Sequence, residues 1–119
     1  MGLSEVLISL PEDDRRYTEL LTNYRNILKK VFGCQNSDGS FSERLLDNDS
    51  NPDSSATSMI AWSCAKTIEQ GVIDDDYLAN CFAAFDFIVS VTDRDGKVMS
   101  CSGEALGVNR YASNISWYP

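Results

Sequence analysis

One unit is written twice in this chain. Residues Arg25 to Phe41 run into Asp38-Gly39, and residues Phe82 to Val98 run into Asp95-Gly96. Laid on one another at the step from Asp38 to Asp95, Ile27, Leu28, Val31 and Phe32 meet Ala84, Phe85, Ile88 and Val89. Upstream, Asp14-x-x-Tyr17 is echoed by Asp74-x-x-Tyr77. Each copy reads as a helix, a short acidic turn, a second helix and an Asp-Gly turn. A step of this size belongs to stacked helical hairpins, none of which can bury its apolar face alone. Fewer than three copies are present. The sequence therefore predicts an all-α piece of a larger array, a single partial domain over 1–119 with two helical hairpins and a C-terminal loop segment.

The apolar spacing predicts four helices, over 2–10, 14–33, 55–70 and 75–91. In the first, Leu3, Val6, Leu7 and Leu10 mark one face. No capping residue precedes Met1, so its natural start is expected to lie upstream. The second carries the clearest stripe: Tyr17, Leu20, Leu21, Tyr24, Ile27, Leu28 and Val31, with Arg, Glu, Asn and Lys opposite. Asp53-Ser54-Ser55 supplies capping oxygens to the third. That helix is apolar around much of its surface, which predicts burial on two sides, Trp62 included. Tyr77, Leu78, Cys81, Phe82, Ala84, Phe85, Ile88 and Val89 form the expected buried stripe of the fourth. Buried and amphipathic helices thus alternate, the order of concentric helical rings. Long loops run from each outer helix to the next inner one, so function is expected at the end that carries the Asp-Gly turns.

Charge and cysteine content narrow the partners. The net charge of −8 argues against a nucleic-acid backbone or an anionic membrane. No apolar run approaches a membrane span, and Met-Gly-Leu-Ser-Glu lacks a basic leader region, so the expectation is a cytoplasmic protein. Cys34, Cys64, Cys81 and Cys101 show no CxxC spacing, and the chain has no histidine to complete a zinc set. Reduced, structural cysteines are expected, with a Cys34–Cys101 disulfide as the alternative. No metal or cofactor is predicted.

Three stretches carry a family resemblance. Met1-Gly-Leu-Ser-Glu-Val-Leu, Asp38-Gly-Ser-Phe-Ser-Glu-Arg-Leu-Leu-Asp and Asp53-Ser-Ser-Ala-Thr-Ser-Met-Ile-Ala-Trp resemble the unsaturated glucuronyl and rhamnogalacturonyl hydrolases of glycoside hydrolase families 88 and 105. The run from Asp53 into an apolar helix is the most specific piece, and Ser116-Trp-Tyr-Pro resembles the lead-in to another inner helix. The resemblance implies a C-terminal portion of a six-hairpin (α/α)6 toroid. It also implies hydration of the enol-ether double bond of an unsaturated uronic acid, with aspartate as general acid/base and no metal. In that family the catalytic aspartate and its histidine helpers lie upstream of the matched stretch. This chain is therefore expected to carry part of the scaffold without the chemistry.

The candidate residues divide between function and framework. Ser54, Ser55 and Thr57 could hydrogen-bond an oligosaccharide, or simply cap their helix. Trp117 and Tyr118 could stack on a sugar ring, or mark a core contact. Asp38 and Asp95 could pair for acid/base work, but Asp38-Gly39 and Asp95-Gly96 read first as structural turns. The alternative to a hydrolase fragment is a non-catalytic helical-hairpin module for binding or self-association. An isolated arc should expose Leu3, Val6, Leu7, Met59, Ile60 and Trp62 at its flanks, which predicts a homo-oligomer, most simply a two-fold pair.

Overall fold

The computed structural model describes residues 1–47 and 49–102, and the backbone of 117–118. The resemblance noted at Ser116 and most of the expected C-terminal loop segment fall outside the described residues. Among those described are four α-helices: α1 (Gly2–Ser9), α2 (Tyr17–Phe32), α3 (Ser54–Glu69) and α4 (Leu78–Ser90). A 3-10 turn at Asp75–Tyr77 leads into α4. Two short strands, β1 (Cys101–Ser102) and β2 (Trp117–Tyr118), pair antiparallel, with Cys101 opposite Tyr118 and Ser102 opposite Trp117. Helix α1 packs on both α2 and α3, and α3 packs on α4. Thus α1 and α3 form one layer, with α2 and α4 outside it.

The stripe on α2 is buried at three of its seven predicted positions, with Leu20, Leu21 and Val31 half-buried and Ile27 47% exposed. Tyr17, Tyr24, Leu28 and Phe32 are buried, seven, four and four residues apart, and Leu7 joins them from α1. Phe32 meets Phe41 edge-on at 5.7 Å and stacks on Tyr77 at 4.8 Å. The first hairpin is thereby closed by residues that come after it in the chain.

Helix α3 is buried through its hydroxyls. Its buried residues are Ser54, Thr57, Ser63, Cys64 and Thr67. Ser63 Oγ donates to Met59 O at 2.7 Å, and Thr67 Oγ1 to Cys64 O at 2.8 Å. These bonds satisfy the hydroxyls inside their own helix. Tyr24 Oη reaches across from α2 to Ser63 O at 3.1 Å. Short side chains let neighbours approach closely, and Cys64 and Ala84 have no exposed surface. All four cysteines are free thiols, so the Cys34–Cys101 bridge is not formed. A hydrogen bond with Cys81, together with burial, pushes the Cys64 thiol up from its ordinary pKa, which suits an inert core thiol.

Three expectations need correction. Trp62, expected as core from its helix and as open from its place on the flank, is 45% exposed, because the buried arc of α3 is taken by its Ser, Thr and Cys residues. The Lys66 ammonium lies 4.7 Å from the Trp62 ring centroid and pairs with Glu5 at 2.8 Å. On α4 the buried residues are Cys81, Ala84 and Phe87, whereas Phe82 is 63%, Phe85 62% and Val89 55% exposed. The predicted stripe of α4 thus straddles two faces, and only one of them has a neighbour among the described residues. Leu7, expected on an open flank, is 1% exposed because α2 and α3 enclose it.

Candidate functional site

Loop 34–53, the start of α3 and the segment after α4 converge at one end of the molecule. Asp53 is the junction. As N-cap of α3 it accepts from Ser55 N at 2.9 Å and Ser55 Oγ at 2.7 Å through Oδ1. Its Oδ2 accepts from Ser102 Oγ at 2.9 Å. Its own N–H donates to Phe41 O at 2.8 Å. Burial raises the Asp53 pKa, but the bonds from Ser55 and Ser102 outweigh that and hold the carboxyl below its ordinary value.

The hydroxyls flagged in the sequence gather around this junction. Thr57 is fully buried. Its Oγ1 accepts from Phe41 N at 2.9 Å and donates to Asp53 O at 2.7 Å, locking the loop onto the helix. Ser54 is buried as well, and its N–H donates to Ser100 O at 2.8 Å. Ser100 holds a left-handed backbone (φ 55°), a conformation a side chain rarely takes without surrounding support. Ser55 is the partly open member, with its hydroxyl given to Asp53. The N–H groups of Ser54, Ser55 and Thr57 all have protein acceptors, so little of the helix N-terminus is left for an anion.

The backbone of Trp117 and Tyr118 comes to the same place. β2 lies beside β1, and Ser102 of β1 is bound to Asp53. Both groups of flagged residues, Ser54, Ser55 and Thr57 on one side and Trp117 and Tyr118 on the other, therefore share one end.

Asp38 and Asp95 each serve their own turn. Asp38 Oδ1 accepts from Ser40 N at 3.0 Å and from Ser40 Oγ at 2.7 Å. Asp95 gives its N–H to Asp93 Oδ1 at 2.9 Å. Gly39 and Gly96 have φ of 87° and 82°, values at home in glycine.

Two features of this end were not visible in the sequence. One is the reach of Asp53 to Ser102, whose spacing no local motif encodes. The other is Glu43, whose Oε1 is buried without a hydrogen-bond partner among the described residues. Glu43 lines an open cleft of about 810 Å³ together with Lys30, Val31, Cys34, Arg44, Leu45, Leu46 and Asp47. Arg44 and Asp47 pair at 2.9 Å across its rim. No group of three or more His, Cys, Asp and Glu among the described residues is placed to hold a metal ion. No helix among them is long and apolar enough to cross a membrane.

The same helical arrangement recurs in solved structures. A possible member of the GH105 family from Salmonella enterica serovar Paratyphi A superposes with a TM-score of 0.81 at 21% identity, over 87% of this chain and 28% of that one. A glycosyl hydrolase family 88 protein from Bacteroides vulgatus gives 0.80 at 22% identity, over 91% and 32%. A polysaccharide lyase gives 0.82 at 25% identity, over 90% and 31%. The chain spans about a third of the length of these structures. No curated protein matches it in sequence. The two hairpins are an arc of an (α/α)6 toroid. The sequence profile of Glycosyl Hydrolase Family 88 matches residues 1–117, and by that match the chain belongs to Glycosyl Hydrolase Family 88.

Proposed function

We propose that this chain is part of a glycoside hydrolase acting on unsaturated uronyl oligosaccharides, with the acid/base aspartate outside these residues. Family membership supports the hydrolase class. One observation carries the second half: Asp53, the carboxylate at the centre of the candidate end, is engaged by Ser55 and Ser102 and held below the usual carboxylate range. Hydration of an enol ether needs an acid that delivers a proton to the double-bond carbon and a base that takes one from the attacking water. A carboxylate kept ionised holds no proton to deliver, and a lowered pKa with hydrogen bonds on both oxygens makes it a weakened base. Asp53 instead fixes the loops, and Ser55, Trp117 and Tyr118 supply hydrogen-bonding and stacking groups for a sugar. Ser54 and Thr57 shape that end from beneath.

The 119-residue chain, mixed with an unsaturated glucuronyl disaccharide and followed by the absorbance of the conjugated double bond, should show no turnover above a mock preparation. Turnover would overturn the assignment of the acid/base group elsewhere. Saturable quenching of tryptophan fluorescence by the same disaccharide, abolished by Trp117→Ala, would support the sugar contacts. Unchanged fluorescence at millimolar sugar would remove Trp117 and Tyr118 from the site. The exposed face of α4 also favours a self-associating module, a property separate from carbohydrate chemistry.

A further inference from the structure

We draw no further inference here: the strongest candidate, the cleft between the end of α2 and residues 43–47, where Glu43 Oε1 is buried without a partner among the described residues, carries nothing, because the chain spans about a third of the length of the structures it matches and nothing in the structure shows whether a ligand or a neighbouring hairpin covers that cleft.

Discussion

The two Asp-Gly turns are the same object in different surroundings. In the first, Asn36 N donates to Ser40 O at 2.9 Å and Gly39 N to Asn36 O at 2.9 Å; in the second, Asp93 N donates to Lys97 O at 2.9 Å and Gly96 N to Asp93 O at 3.1 Å. The bonds fall on equivalent residues of the repeat. What surrounds them differs. A Cβ on Gly39 would sit 2.1 Å from Ala83 O, whereas one on Gly96 would meet nothing within 4 Å. Gln35 ties the first turn to α4 through Asn80, donating to Asn80 O at 3.0 Å and accepting from its side-chain amide at 2.7 Å. Phe41, just past the first turn, is fully buried, whereas its counterpart Val98 is 43% exposed. Local sequence therefore sets the turn, and the following hairpin sets its environment. The first copy has a follower and the second, among the described residues, has none.

Truncating the residue after each turn should break the likeness most. Phe41→Ala empties a site enclosed by Phe32 and the α3 start, and should cost about 3–5 kcal/mol. Val98→Ala should stay within about 0.5 kcal/mol, as exposed substitutions do. Urea denaturation followed by circular dichroism compares the two. Equal losses would mean that Val98 is covered, and that the second copy is packed like the first.

Glycine replacement comes next in size. Gly39→Ala meets both the left-handed backbone and the Ala83 carbonyl, and should cost about 3 kcal/mol. Gly96→Ala meets only the backbone term, about 1 kcal/mol. The difference in urea midpoint measures how firmly α4 presses on the first turn. If the two variants unfold alike, that close approach is absent in solution.

The same contrast explains what the sequence made legible. The α2 stripe is buried at Tyr17, Tyr24 and Leu28, where α1 and α3 lie within the described residues, but Ile27 in the same stripe is 47% exposed. On α4 the period was equally clear, yet Phe82, Phe85 and Val89 face outward. Periodicity records which face a helix offers; it cannot say whether the neighbour is present. Trp62 went astray for a related reason. Its helix looked apolar all round, but the side turned to α1 and α2 is built from Ser63, Cys64 and Thr67. Hydroxyls that bond within their own helix act as core residues, which a hydrophobicity count misses. At the candidate end, the start of α3 was legible from Asp53-Ser54-Ser55. The bond from Ser102 to Asp53 was not, because it depends on where the chain returns after α4.

That bond gives the smallest effect and the sharpest one, because Asp53 follows the first turn and Ser102 follows the second. Asp53→Ala removes the α3 cap and the link between the two loop ends, and should cost about 1 kcal/mol at neutral pH. Asp93→Ala alters only the exposed second turn and should cost less, about 0.5 kcal/mol or below. Acid then separates charge from shape. Asp53 is held below its ordinary value in the folded protein, so the unfolded chain takes up its proton first as pH falls. Its contribution is fully present above the unfolded carboxyl value of about 3.9, and is lost as pH drops through the lower folded value. Asp53→Asn keeps the capping oxygen but cannot titrate. The stability gap between the native chain and this variant should be constant from pH 7 to 5 and close in acid, which urea titrations across that range would follow. A gap that stays constant into acid would show that the Asp53 charge contributes nothing, and that the cap works through geometry alone.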